Sequence, residues 1–215
     1  MLSTTVRLLV GLLAALLLTA IFGWFLFDVV PVGTLHFDSA AREAIHSVAS
    51  PGVTPMMIIA SLVGRPIVIC VIALLLAALF LRCGREDAAK AILITMAGAF
   101  VLEGLLKIFF HRKRPEAYFG YALPRSFSFP SGHAIFAVCF FGVLAAVVSP
   151  LLSSRSARVC LWCAAIASAG IIGISRIYLG VHYPTDVIAG YLTAGLWVFA
   201  VVHRNRYRRV RVKPE

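Results

Sequence analysis

Six stretches of this chain, residues 8–27, 56–81, 91–110, 131–148, 159–178 and 184–202, are apolar almost throughout. A helix needs about 20 such residues to cross the hydrocarbon core of a bilayer. Hydrocarbon offers no hydrogen-bonding partner, so a crossing segment must pair its own N–H and C=O groups, which leaves helices or a closed barrel. These runs are continuous rather than alternating, and continuous runs of this length read as helices. The expected fold is all-α, a polytopic membrane bundle of six transmembrane helices.

Composition agrees. The chain is 61% hydrophobic and 13% charged, with a mean hydropathy of +0.95, against about 45–50% and about 25% in soluble domains. Its 215 residues suit a single domain over 1–203, followed by a basic tail over 204–215. Only Arg7 flanks the first run and no small-x-small cleavage site follows it, so that run is expected to stay as a span. Gly64-Arg65-Pro66 predicts a kink in the second run. Pro130 and Pro184 predict the first turns of the fourth and sixth helices, where a missing N–H does no harm. Between the first two runs, Phe37, Ala41, Ala44, Ile45 and Val48 share a helical face opposite Asp38, Arg42 and Glu43, which predicts a short helix lying in the membrane interface. Cys70, Cys83, Cys139, Cys160 and Cys163 have no disulfide or zinc spacing and read as small packing residues.

A net charge of +11 would point to nucleic acid if the cations shared a soluble face. They fall instead in short loops and the tail, so no nucleic acid is expected. Arg7, then Arg82, Arg85 and Lys90, then Arg155 and Arg158, and the tail from Arg204 to Lys213 all share one side if both termini are cytoplasmic. That places Arg42 and Arg65, and then Lys107, Arg112, Lys113, Arg114, Arg125 and Arg176, on the outer side, against the usual trend. Anion binding accounts for such a cluster.

Three fragments converge on that outer side. Lys107 and Arg114 close the third helix, Ser131-Gly132-His133 opens the fourth, and Arg176, His182 and Asp186 lie between the fifth and sixth. An even number of crossings separates the last two fragments, so all three can meet at one surface. Arginines can hold a phosphate through paired donors, and lysine supplies a point charge. A helix start at Ser131 and Gly132 offers unpaired N–H groups and the positive end of the dipole. Two histidines remain for covalent and proton chemistry near neutral pH. Asp186, four residues after His182, can hold one ring nitrogen and free the other as nucleophile. Glu103, four residues before Lys107, is expected to pair with it. Arg112, Lys113 and Arg125 read equally well as anchors at helix ends. His36, His46, His111 and His203 carry no assignment.

In order and spacing these fragments resemble the motifs of the type 2 phosphatidic acid phosphatase superfamily, the membrane lipid phosphatases related to vanadium haloperoxidases. The resemblance covers residues 107–186 and, with the helix count, most of the chain. It implies that His182 attacks phosphorus to give a phosphohistidine, that Asp186 orients it, and that His133 protonates the leaving oxygen and then activates water. Lys107, Arg114, Ser131, Gly132 and Arg176 would hold the phosphate. It implies neither metal nor other cofactor. The expected activity is hydrolysis of a lipid phosphate or diphosphate at the outer face of a cell (inner) membrane, with the bilayer and its lipid as the expected partners. Phosphatidic acid, phosphatidylglycerophosphate, polyprenyl diphosphate and lipid A phosphates all stay open as substrates. A phosphotransferase fed by a lipid diphosphate and a non-catalytic phospholipid-binding or transport bundle are the competing readings.

Overall fold

The computed structural model describes residues 4–211, with side chains over 5–203. Among them, helices α1 (Thr4–Trp24), α2 (Pro31–His46), α3 (Val53–Val63), α4 (Pro66–Arg82), α5 (Glu86–Phe110), α6 (Gly132–Val148), α7 (Arg155–Tyr178) and α8 (Pro184–Arg211) account for the architecture. No strand occurs among the described residues. A π-turn over Phe25–Val29 extends α1. Among the described residues five helices are long and apolar enough to cross a membrane alone, and α3 with α4 passes the same test as a bent pair, which brings the number of candidate spans to six if the pair is one span. Proline does more than kink this span: the two halves meet at 54° across Gly64-Arg65. Arg65 is extended (ψ 132°) and its carbonyl starts a new helix at Pro66.

α8 is the central element, packed against α1, α5, α6 and α7. Thr19 Oγ1 on α1 meets Thr193 Oγ1 on α8 at 2.7 Å. The Trp197 indole N–H donates to the Thr95 carbonyl on α5 at 3.0 Å, and the Tyr191 hydroxyl donates to the Ala169 carbonyl on α7 at 2.9 Å. Buried alanines such as Ala73, Ala77, Ala91, Ala99, Ala137 and Ala194 let the backbones approach, as expected where lipid supplies no hydrophobic push between helices. Gly98 leaves room for the Trp197 ring, which would lie 2.2 Å from any added Cβ. Outward, Leu13, Leu75, Ile108, Phe109, Ile166 and Phe199 stand exposed. An apolar exterior all round the bundle is what a lipid-facing surface requires.

Gly11 lies against Ala200 and Thr19 against Thr193, so α1 and α8 run antiparallel. Arg85, in the α4–α5 turn, donates to the Val147 carbonyl at the end of α6. The start of α1, the α4–α5 and α6–α7 turns and the far end of α8 thus share one end of the bundle, and the motif residues share the other.

Three expectations need correction. α6 begins at Gly132, with Ser131 extended (ψ 114°) as its N-cap, so Pro130 stands outside the helix, whereas Pro184 does open α8. The helix over Pro31–His46 turns Asp38 inward, fully buried, and leaves Phe37 exposed; polar partners on α8 and the α5–α6 loop outweigh the amphipathic pattern. Cys139 is a core residue, but Cys83, Cys160 and Cys163 are exposed. α8 itself runs to Arg211. The side chains of 204–211 and residues 212–215, where the basic tail was expected, lie outside the described residues.

Candidate active site

Local chain chemistry delivers each group to the same end. α5 stops at His111, which adopts a left-handed conformation (φ 49°) and donates its N–H to the Lys107 carbonyl at 3.2 Å. Lys107 therefore sits in the last turn, and a loop carries Arg112 and Arg114 across the bundle. α7 ends in a Schellman turn: Gly180 (φ 75°) donates to the Ile177 carbonyl at 2.9 Å, and Val181 to that of Arg176 at 3.1 Å. Glycine is required there, since a Cβ would approach the Tyr118 amide to 2.7 Å. The turn aims His182 back over Arg176. α8 then starts at Pro184, and Asp186 in its first turn accepts the Tyr183 N–H at 2.9 Å, which is half of a capping box.

His182 is 1% exposed. Its Nδ1 faces Asp186 Oδ2 at 3.3 Å, and its Nε2 lies 2.9 Å from a terminal nitrogen of Arg114. Arginine can only donate, so Nε2 accepts and the ring proton resides on Nδ1, toward the carboxylate. Burial above all, helped by the charges of Arg114 and Arg176 and opposed by Asp186, pushes the His182 imidazole down to about 3. The ring is thus neutral across the physiological range, with a nitrogen lone pair directed at the cations.

Arg114 is engaged on every N–H. It donates to the Ser126 carbonyl (2.8 Å) and hydroxyl (3.2 Å), the Phe127 carbonyl (3.1 Å), the Val181 carbonyl (2.8 Å) and His182. Burial, then repulsion from Arg176, lowers it to about 10, so it remains charged at neutral pH. Lys107 pairs with Glu103 at 2.7 Å, as its spacing predicts, and reaches the Ser126 hydroxyl at 3.3 Å. Gly132 lets α6 start against this pair: a Cβ there would meet Glu103 Oε1 at 2.1 Å.

Among the buried side-chain atoms with no hydrogen-bond partner, three lie on two segments of this end: Ser131 Oγ and His133 Nε2 at the start of α6, and Arg176 Nε on α7. Such orphans are rare enough in folded proteins to call for an explanation. Arg176 is 2% exposed and donates to the Ser61 hydroxyl on α3. It acts on His133 together with His182 and Lys107, so the cluster is one electrostatic unit. The Ser131 N–H is taken by the Asp186 carbonyl at 2.9 Å, which ties the second fragment to the third. All eight residues singled out by sequence therefore stand at one end of the bundle.

Several neighbours that sequence reasoning did not assign to the site complete it, although Arg112 already stood in the outer basic cluster. Arg112 spans two buried carboxylates, donating to Asp38 Oδ2 and to Asp186 Oδ1 at 2.6 Å each, and to Thr185 Oγ1 at 2.8 Å. Asp38 also accepts the Thr185 N–H at 3.0 Å, so a carboxylate from α2 caps the first turn of α8. Ser128 donates to Asp186 Oδ2 and lies 3.4 Å from His182 Nδ1. Position in the same short loop as Arg114 was the other hint for Arg112 and the one available for Ser128. Asp38 lies more than 70 residues away in sequence from both its partners. Among the described residues, no group of three His, Cys, Asp or Glu side chains is placed to hold a metal ion.

Comparison with known proteins gives a consistent picture. Residues 88–210 match the family model of the PAP2 superfamily. A phosphatidylglycerophosphatase B of Bacillus subtilis (strain 168) is 39% identical over 105 residues, 47% of this chain and 50% of that protein. An undecaprenyl-diphosphatase of Sulfolobus acidocaldarius is 40% identical over 75 residues, 35% of this chain and 32% of that one. The chain thus spans half or less of the length of these curated relatives. A crystal structure of a transmembrane PAP2 type phosphatidylglycerolphosphate phosphatase from Bacillus subtilis superposes with a TM-score of 0.77 at 25% identity, covering 94% of this chain and 98% of that one.

Proposed function

This chain belongs to the PAP2 superfamily, and from that premise we propose that it is an integral-membrane phosphatase hydrolysing a lipid phosphate or lipid diphosphate. The observation that carries the reading is the pairing of a neutral, oriented histidine with orphaned donors around it. Asp186 holds His182 Nδ1, Nε2 points at the cations, and Ser131 Oγ and Arg176 Nε lack partners beside it. A phosphate dianion seated there satisfies those donors and meets Lys107 and the first-turn amides of α6.

His182 Nε2 attacks phosphorus, taking over the space of its contact with Arg114, whose freed donor turns to a phosphate oxygen. The proton on Nδ1 remains facing Asp186, which stabilises the cationic ring as the N–P bond forms. His133 gives its proton to the leaving oxygen, then removes one from the water that cleaves the N–P bond. Charge on the equatorial oxygens is met by Arg114, Arg176 and Lys107, the main contribution protein groups can make to phosphoryl transfer. Residues 1–203 act as one membrane domain, with both termini cytoplasmic and the site on the outer face, at headgroup depth.

His182→Ala and His133→Ala are expected to reduce phosphate release from lipid phosphates by at least about 10³-fold while each variant keeps its helical content. Labelled substrate should leave acid-labile phosphate on His182 in the wild type. Ordinary turnover by either folded variant overturns the mechanism, and a wild type that binds lipid phosphate without releasing phosphate identifies a binding bundle. A lipid diphosphate donor that yields phosphate only when a second acceptor is present identifies a transferase.

A further inference from the structure

The three helices that carry His133, Arg176 and Asp186 also enclose a cleft that no step of the mechanism uses. α6, α7 and α8 line it from mid-bundle toward the end away from the site, around a volume of about 380 Å³. Apart from His203 its walls are apolar. Ala165 and Ala169 are buried in its floor, and Phe199 stands exposed at its rim. Gly195 also lines it, and a Cβ built there would meet nothing within 4 Å. Gly98 makes room for a ring of this chain, whereas Gly195 makes room for nothing in it. The cleft is thus open to a molecule from the surrounding hydrocarbon.

Its outer end is charged. On α7, Arg155, Arg158, Trp162, Ala165 and Ala169 recur at helical spacing, so both arginines stand on the stripe that lines the cleft. Both are exposed. Arg158 donates to the main-chain carbonyls of Ser153 and Ser154 at 3.4 Å each. Neither arginine pairs with a carboxylate among the described residues. Between Arg158 and Ala169 the helix rises about 16 Å, at about 1.5 Å per residue. One leaflet contributes about half of a hydrocarbon core roughly 30 Å thick, so the cleft has the depth of a single acyl chain. Trp162, one turn in from Arg158, stands where tryptophan borders the headgroups.

A second copy of this chain is the rival occupant. Two copies related by an axis along the membrane normal would set their Arg155 and Arg158 pairs at the same depth, and like charges oppose that contact. A lipid phosphate has the opposite sign and sits at the level of those arginines. We propose that the α6–α7–α8 cleft is a binding site for an anionic phospholipid of the leaflet opposite the active site. One acyl chain lies along Ala165, Ala169 and Gly195, and the phosphate rests on Arg158 and Arg155. A lipid that clasps three helices in the folded bundle alone raises its thermal midpoint.

The test uses purified full-length protein in dodecyl maltoside micelles, with dioleoylphosphatidylserine and dioleoylphosphatidylcholine as probes. These lipids share their chains, differ in net charge, and carry no phosphomonoester for the catalytic site. Native mass spectrometry counts bound lipid, and the thermal midpoint is followed in parallel. Wild type should retain one phosphatidylserine per chain in preference to phosphatidylcholine, with a raised midpoint. Arg158→Gln, a change at an exposed position, should weaken phosphatidylserine about five-fold and leave phosphatidylcholine unchanged. Gly195→Leu places its side chain in the cleft and should weaken both lipids about ten-fold, with the lipid-free midpoint preserved. Wild-type affinity for phosphatidylserine in both variants overturns the site, as does equal affinity of the wild type for the two lipids. A dimer that Gly195→Leu dissociates also overturns it, since a second copy would then cover the cleft.

Discussion

Arg112 shows what one side chain can organise. Its fork pairs with both Asp38 and Asp186, each fully buried. Removing it would leave two carboxylates in the interior without their counter-charge, a change that destabilises by about 3 kcal/mol or more. Lysine keeps the charge but not the two-pronged geometry. Arg112→Lys is therefore expected to lower kcat by about 10²-fold with a smaller change in KM, because Asp186, and through it His182, loses its position while the phosphate donors stay. Equal kcat in the two proteins would show that Asp186 is fixed by Ser128 and Tyr183 alone. His182 also makes a pH prediction. A histidine depressed to about 3 takes no proton as pH falls through 6.5, its ordinary value. After correction for the ionisation of the substrate, kcat/KM should stay level down to about pH 4; an acid limb near 6.5 that disappears only on altering His182 would refute its buried, neutral state.

At the level of the helix, two glycines of similar crowding separate stability from activity. A methyl group at Gly98 would meet the Trp197 ring, which is 3% exposed and tied to Thr95, so nothing yields. A methyl group at Gly132 would meet the far end of Glu103, a side chain that can swing away. Gly98→Ala should then cost about 1–3 kcal/mol of stability, read as a lower thermal midpoint in detergent, with little change in activity per folded molecule. Gly132→Ala should keep its thermal midpoint but lose about tenfold in kcat/KM, since displacing Glu103 drags Lys107 from the site. The opposite pattern would mean that the Glu103–Lys107 pair supports the fold and not the phosphate site. The Schellman turn at Gly180 and the left-handed stop at His111 belong to this scale too. Each ends a helix where the chain must turn to deliver an active group.

The whole molecule is a polarised bundle, with turns at one end and chemistry at the other. Cys83, exposed in the α4–α5 turn, and a cysteine introduced by Arg125→Cys in the α5–α6 loop stand at opposite ends. With the remaining cysteines replaced, a membrane-impermeant thiol reagent applied to intact cells should label the Arg125→Cys site and spare Cys83, and inverted vesicles should reverse the pattern. Labelling of Cys83 from outside would place the site in the cytoplasm. Much of this arrangement was legible in the chain itself. Hydrocarbon forces each apolar run to satisfy its own backbone, so span number is a local property, as are the Glu103–Lys107 spacing within α5 and the His182–Asp186 spacing across the start of α8. Motif order and crossing parity were enough to bring Lys107, Arg114, Ser131, His133, Arg176, His182 and Asp186 to one end. Other features had no local signature. Asp38 was read as the polar face of an interfacial helix, because its amphipathic pattern says nothing about a cap needed on α8. Arg112 resembled any basic residue at a helix end. Their roles depend on which buried carboxylate, hydroxyl or cation lies opposite, and only the packing of distant helices decides that.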